Sequence, residues 1–425
     1  MPHLLILTTF TLLLSVICGL INKYTLKMPT HMGILAIALM GSLLGAIINF
    51  FFNNPFQSAA LFLLQEVDFS TTLLKGVLAI LLFAGSLHVN VEELWKNRLS
   101  IGMLALVGTC IAVALIGSCF WLIFPLFQLN IPYIWCLVLG SILAPTDPVS
   151  VIGMLKRIGL PEKLQAIFAG ESLFNDGVAI VFFTVTYLIA TEASHFTPSI
   201  ESIGLLLLKD IPGSIFLGFI SGLITTHVIR KAADKDMEIL LSLTLATGVF
   251  SLAEYLECSG PIAVVTAGLM LGHNSAHHKK HNDRSHNFML TFWEILDEVI
   301  NCMLFMLIGI EVLAIPFNST VFFISLLGIL IVLASRALSV ILSGWVLIKA
   351  DPKPLSMFSI LTWGGLRGGI SLALSFTLPT TGPREPFLGI TYTIVIFTIL
   401  VQGLTMEKVS RYFYKDYLMK KENAH

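Results

Sequence analysis

The sequence predicts an all-α polytopic membrane protein, with thirteen transmembrane helices arranged as two inverted six-helix repeats about one linking helix. Three observations predict it: an apolar composition, spanning-length segments whose loops alternate in basic charge, and two helix breaks at matching places in the two halves. Of 425 residues, 56% are hydrophobic and 12% charged, and the mean hydropathy is +0.88. That is too apolar for a soluble chain of this length. A formal net charge of −1 leaves no broad basic face for a nucleic acid. The six cysteines, Cys18, Cys110, Cys119, Cys136, Cys258 and Cys302, lie in or beside apolar runs without metal-ligand spacing. They read as packing residues with no disulfide framework. The first apolar run lacks a basic start and a small-residue cleavage site, so no cleavable signal peptide is expected.

A spanning window of about 20 residues finds apolar segments near 4–20, 31–49, 70–88, 99–124, 132–153, 164–190, 202–229, 238–256, 260–273, 288–312, 319–348, 355–378 and 387–406. The basic residues test this count independently, because cytoplasmic loops carry the excess of Lys and Arg. Alternate loops hold Lys23 and Lys27; Lys96 and Arg98; Lys156, Arg157 and Lys163; Arg230, Lys231 and Lys235; Lys279, Lys280 and Arg284; Lys349 and Lys353; and the tail from Lys408 to Lys421. The intervening loops hold only Arg384, with Lys75 and Lys209 near segment ends. A missed span would put later loops out of phase, so the predicted topology is N-terminus outside and C-terminus in the cytoplasm. The expected organisation is a membrane domain over 1–406, with halves 1–190 and 237–406 about a linking helix at 201–230, and a short cytoplasmic tail at 407–425.

The sixth span carries Gly170-Glu171-Ser172-Leu173-Phe174-Asn175-Asp176-Gly177. A carboxylate at the centre of a spanning helix costs about 2.5–3.5 kcal/mol on insertion scales, so it faces the bundle interior or a wet cavity and usually has a task there. Helical spacing puts Glu171 and Asn175 on one face and Ser172 and Asp176 on the neighbouring one, so one face can hold a partner and the other a ligand. A polar helix start would be the blander reading, but apolar residues continue well past Asp176.

The fifth span contains Ala144-Pro145-Thr146-Asp147-Pro148-Val149. Each proline removes a helical N–H and clashes with the carbonyl four residues back, so the carbonyls of Ser141 and Ala144 lose their partners and the helix should break at mid-membrane. Irregular backbone at that depth lines a cavity or is buried in protein, and freed carbonyls beside Asp147 make a hard-oxygen site for a small cation. A simple proline kink would leave Asp147 unexplained. The second break falls in the twelfth span at Gly364-Gly365-Leu366-Arg367-Gly368-Gly369, where glycines weaken the helix and leave Arg367 to meet an anion or supply a fixed positive charge. Close helix packing accounts for the glycines but not for the arginine. Each break lies in the fifth span of its half. Paired interrupted segments in inverted halves point to a secondary transporter with its site at the midplane.

Thr146-Asp147-Pro148, the run Glu171 to Gly177, Ser335-Arg336-Ala337 and Gly364 to Gly369 resemble the NhaP-type sodium/proton antiporters of the monovalent cation:proton antiporter-1 family. The resemblance runs in order over essentially the whole chain. It implies the NhaA-like antiporter fold, with two crossing unwound helices, in a homodimer whose six-helix core domain moves against a dimerisation domain. It also implies alternating-access exchange of a monovalent cation for protons in the plasma membrane, with a part in pH homeostasis, no enzymatic activity and no resident cofactor. Sodium is the favoured cation and potassium the alternative. By the same resemblance Asp176 and Asp147 bind the cation, Ser172 and the backbone at Thr146 are further ligands, Asn175 supports the site, and Glu171 pairs with Arg336.

A charge count suggests the stoichiometry. Asp147, Glu171 and Asp176 against Arg336 and Arg367 leave one negative charge, which one sodium ion or one proton neutralises, so one-for-one electroneutral exchange is expected. An aspartate in place of Asn175 would add a second. One departure from the family pattern stands at Leu82-Phe83-Ala84-Gly85-Ser86-Leu87, where some members carry a glutamate at the position of Ala84. The extended cytoplasmic region of animal exchangers is not expected after Glu407.

Other polar residues have blander readings. His273, His277, His278, His281 and His286 cluster with Lys279 and Lys280 in one loop, where imidazoles could report pH but a solvated loop also accounts for them. Asp297 and Glu298 either line a cytoplasmic funnel or snorkel to the interface, and Glu254, Glu257 and Glu311 are expected to meet water at outer ends. An intramembrane aspartyl protease would need a Gly-x-Gly-Asp run, where this chain has Phe174-Asn175-Asp176-Gly177. A passive channel would need a continuous polar path, and the polar residues here are gathered in one compact cluster.

Overall fold

The computed structural model describes residues 2–52, 76–147, 149–191, 200–232, 234–277, 283–312, 319–345, 354–379, 382–415 and 417–418. Helices lie at the apolar segments: α1 (Pro2–Tyr24), α2 (Thr30–Phe52), α3 (Leu78–Leu87), α4 (Val91–Lys96), α5 (Arg98–Phe127), α6 (Tyr133–Leu143), α7 (Val149–Ile158) and α8 (Glu162–Ala190). They continue as α9 (Ile200–Ala232), α10 (Lys235–Tyr255), α11 (Gly260–His277), α12 (Asp283–Glu311), α13 (Ser319–Ser343), α14 (Pro354–Trp363), α15 (Gly369–Phe376) and α16 (Arg384–Phe413). Among the described residues, six helical stretches are long and apolar enough to cross a membrane: α5, α8, residues Asp210–Ala232 of α9, α10, α13 and α16. The chain is a multi-pass integral membrane protein.

The fifth apolar segment is split where the prolines require it. α6 ends at Leu143, residues 144–147 are not helical, and α7 begins at Val149; Pro148 lies outside the described residues. The twelfth segment is split at its glycines, with α14 ending at Trp363 and α15 starting at Gly369. Two further irregularities were not legible in the apolar pattern. Met103–Gly108 of α5 and Thr398–Gly403 of α16 are wound as π-helix, a form that recurs near functional sites, and each lies beside a polar contact of the site.

Buried aromatic residues key the helices together. Trp293 of α12, fully buried, donates its indole N–H to the Ser242 hydroxyl of α10 at 3.0 Å and packs on Phe83 of α3 at 4.7 Å between ring centres. A second apolar cluster joins α5, α6, α13 and α16 through Phe120, Phe124 and Phe387. Large apolar side chains remain exposed on outer faces, including Leu13, Val16 and Leu20 of α1 and Phe322, Leu326 and Leu330 of α13. In a membrane protein such faces meet acyl chains or another subunit.

One expectation is corrected here. Glu311, read as meeting water at a span end, is only 4% exposed. α16 passes over the end of α12, and the Tyr392 hydroxyl donates to the Glu311 carboxylate. The tyrosine supplies what water would have supplied. Glu254 and Glu257 are exposed.

Candidate functional site

The two helix breaks meet. The Asp147 N–H donates to the Leu366 carbonyl at 2.8 Å, and Gly368 passes so close that an added Cβ would lie 2.9 Å from the Asp147 Cβ and 3.0 Å from its Oδ2. Only a residue without a side chain permits this approach. Arg367, fully buried, reaches across the crossing and donates Nη1 to the carbonyls of Ala144 at 2.8 Å and Pro145 at 2.9 Å. Its own N–H donates to the Thr398 hydroxyl at 3.1 Å, at the π-wound turn of α16. The freed carbonyls, expected at Ser141 and Ala144 and open to a cation, are instead those of Ala144 and Pro145 and are taken by the guanidinium, so Arg367 supplies a fixed positive charge and meets no anion there; unpaired carbonyls at the C-terminus of α6 favour a cation by the helix dipole.

α8 runs past this crossing with Glu171, Ser172, Asn175 and Asp176 all at 2% exposure or less. Its two polar faces divide the work. On one, Glu171 accepts from Arg336 of α13 in a fork, Oε1 from Nη1 at 2.7 Å and Oε2 from Nη2 at 2.8 Å, while Arg336 Nε donates to the Leu361 carbonyl of α14 at 3.2 Å. Asn175 stitches this face to the break, donating Nδ2 to the Ala144 carbonyl and the Thr146 hydroxyl at 3.3 Å each and to Glu171 Oε1 at 3.4 Å. The Thr109 hydroxyl of α5 donates to Asn175 Oδ1 at 2.5 Å. On the other face, Ser172 shares a hydrogen bond of 3.1 Å with the Thr146 hydroxyl, and Asp176 lines the same cavity as Asp147.

Asp176 Oδ1 is buried without a hydrogen-bond partner. An uncompensated buried carboxylate oxygen is costly, and such atoms are rare in native proteins. It borders a cavity of about 50 Å³ lined also by Thr146, Asp147, Leu173, Asn301 and Gly368. At ~10–15 Å³ per water centre, that is room for about three to five waters. Gly85 and Leu173 are also walls of a wider cavity of about 500 Å³, with His31, Glu294, Asp297, Glu298, Lys156 and Arg157 around it. The acidic residues of α12 line this wider cavity, which shares two walls with the cavity of the aspartates, and Ala84, buried, stands on its wall. The side chains of His277, His278, His281 and His286 lie outside the described residues; His273 is half-buried.

Sequence reasoning missed Thr109, Thr398, Asn301 and Ser371. The signal was present for Asn301, a lone amide within Val299-Ile300-Asn301-Cys302-Met303-Leu304. Serines and threonines satisfy themselves on their own helix so often that no spacing rule separates those facing a site.

A family model described as sodium/hydrogen exchanger, transmembrane, matches residues 10–411. The chain belongs to the sodium/hydrogen exchanger family. It is similar to the Na(+)/H(+) antiporter NhaP of Pseudomonas aeruginosa, 35% identical over 97% of this chain and 98% of that one. It is also similar to the Na(+)/H(+) antiporter NhaH of Halobacillus dabanensis, 31% identical over 83% of this chain and 85% of the other. Among solved structures, the sodium proton antiporter MjNhaP1 of Methanocaldococcus jannaschii at pH 8 superposes with a TM-score of 0.73 over 98% of this chain and 99% of that one, at 20% identity. The exchanger chain therefore shares the all-helical fold of that antiporter.

Proposed function

We propose that this exchanger is a secondary active antiporter that moves sodium ions against protons by alternating access. The observation that carries the reading is the partnerless, buried Asp176 oxygen facing Asp147 across a small cavity where two broken helices cross, in a chain of the exchanger family. Two carboxylates and neutral oxygens suit a hard cation, and the same carboxylate oxygens accept a proton, so the two substrates compete. Asp176 is the principal carrier, Asp147 completes the site, Ser172 and Thr146 supply neutral oxygens, and Asn175 holds the break in register. Glu171 and Arg336 form a structural pair that takes no part in binding.

Exchange is one-for-one. The Glu171–Arg336 pair cancels within itself, leaving Asp147 and Asp176 against Arg367, a single negative charge that one sodium ion or one proton offsets. The reading extends to thirteen spans in two inverted halves about α9, a homodimer, and residence in the plasma membrane with the N-terminus outside. The wider cavity beside Lys156 and Arg157 then opens to the cytoplasm, by the excess of basic residues there. Potassium is the runner-up cation; similarity to Na(+)/H(+) antiporters favours sodium. In proteoliposomes, an imposed sodium gradient should drive protons uphill. Sodium moving without protons would indicate a channel, and movement of neither ion would overturn the reading.

A further inference from the structure

We infer that the cation site extends onto α12 and α15, with the Ser371 hydroxyl as an alkali-cation ligand and the Asn301 amide beside it. This deepens the antiport reading and rests on it. Asp147, Thr146 and Asp176 approach the cavity from the first break and α8. Asn301 and Ser371 approach it from α12 and from the first turn of α15. α3 adds only apolar side chains and Gly85.

Ser371 is not an ordinary buried polar group. It is fully buried and its Oγ makes no hydrogen bond, while Asn301, 4% exposed, has its amide near the Asp297 carboxylate one turn back on α12. Several serines of this core settle on their own helix, as Ser375 Oγ does on the Leu372 carbonyl at 2.6 Å and Ser339 Oγ on the Arg336 carbonyl at 3.0 Å. Ser371 could do the same and does not. Ser259 and Ser410 are unpartnered too, but neither lines this cavity. With Asp176 Oδ1, two orphaned oxygens converge on one cavity of about 50 Å³, whose wall Asn301 also joins. Burying a polar group without a partner costs about 1–3 kcal/mol, so two on one cavity mark a place where a ligand supplies what the protein does not. Two carboxylates make that ligand positive, and the neutral oxygens around them suit a hard metal cation. A hydroxyl offers a lone pair to a metal ion whatever the direction of its hydrogen, and an amide can turn its oxygen inward.

The consequence is selectivity. The aspartates supply charge, which every alkali cation feels alike, whereas neutral oxygens fixed on two further helices set the size of the site. Gly369, beside Ser371, packs on Leu304, one turn beyond Asn301, so closely that an added Cβ would lie 2.6 Å from it. α12 and α15 thus hold a set separation.

The test is sodium, lithium and potassium dependence of exchange in proteoliposomes for the wild type, Ser371→Ala, Ser371→Thr and Asn301→Ala, with sodium-dependent melting of each purified variant in detergent. Ser371→Ala should raise the sodium KM about fivefold, as for one neutral hydrogen-bonding group of about 1 kcal/mol. It should lower kcat less than twofold and change the sodium-to-lithium ratio. Ser371→Thr should restore the KM. In melting, Ser371→Ala should keep the sodium-free midpoint but need correspondingly more sodium for the same rise. If both alanine variants keep the wild-type KM, cation order and sodium response, or lose stability equally with and without sodium, the inference falls while antiport by the wild type stands. If the wild type itself exchanges nothing, the antiport reading falls first.

Discussion

Removing one member of the Glu171–Arg336 pair should harm the protein more than removing both. Glu171 is fully buried and Arg336 is 7% exposed at the side chain. Both carboxylate oxygens are engaged, at 2.7 and 2.8 Å, and the third guanidinium nitrogen is tied to the Leu361 carbonyl. Gly365 lies flat on Arg336, with room for no Cβ: one would sit 2.8 Å from Nε. Water therefore has no ready access to a stranded charge. Glu171→Gln leaves the guanidinium unpaired and Arg336→Met leaves the carboxylate unpaired, and each should cost about 3–5 kcal/mol. Independent losses would total about 6–10 kcal/mol in the double variant, whereas a true pair leaves Gln and Met together with no buried charge and a loss no larger than either single. Melting midpoints of the three variants in one detergent decide between these. The double variant should melt above at least one single. A double variant melting below both, by the sum of their shifts, would refute the pairing argument.

Three further outcomes are expected. Asp176→Asn should reduce sodium/proton exchange in proteoliposomes to the level of protein-free vesicles, while Ser172→Ala, losing one neutral oxygen worth about 1 kcal/mol, should raise the sodium KM about fivefold. Gly368→Ala should abolish exchange, because its Cβ would lie 2.9 Å from that of Asp147, whereas Gly248→Ala, with nothing within 4 Å, should exchange normally; an active Gly368→Ala would show that the crossing tolerates separation. Clamping the membrane potential with valinomycin and potassium should leave the initial exchange rate unchanged, and a turnover-linked current that grew with the potential would refute one-for-one exchange.

Much of this architecture was legible because lipid makes polar residues conspicuous. Asp147, Glu171, Asp176, Arg336 and Arg367 stood out as charges in apolar runs, and Pro145 with the glycines at 364–369 located both breaks. Helical spacing also divided Glu171 and Asn175 from Ser172 and Asp176. What spacing could not tell was which group meets which across helices. Arg367 could equally have faced a carboxylate, and its carbonyl partners have no signature, since every residue carries one. Glu311 was misread for the same reason: its distance from the centre of its span is a local fact, but its burial under Tyr392 depends on where α16 crosses. Asn301 and Ser371 become notable only when a cavity wall joins them.

The two breaks are closed in unequal ways, and that inequality sets the charge of the site. A helix that stops inside the protein leaves its last carbonyls unpaired and carries about half a negative charge at that end. At α14 the Trp363 carbonyl accepts from the neutral amide of Gln402 at 2.9 Å. At α6 the carbonyls of Ala144 and Pro145 accept from the charged Arg367. A second neutral cap would have left Asp147 and Asp176 as two uncompensated charges, and one monovalent ion could not then have neutralised the crossing. With the guanidinium in place, the carbonyls are spent on the protein itself, and on the proposed reading the charge that attracts a cation would reside on carboxylates, which a proton can also silence. A bare carbonyl site would bind a cation but offer a proton no comparable base. On the proposed reading, competition between cation and proton on the same atoms would follow from the arginine as much as from the aspartates. The bonds that join the breaks, Arg367 to Ala144 and Asp147 to Leu366, lie within the crossing, so the groups that hold it closed are its own.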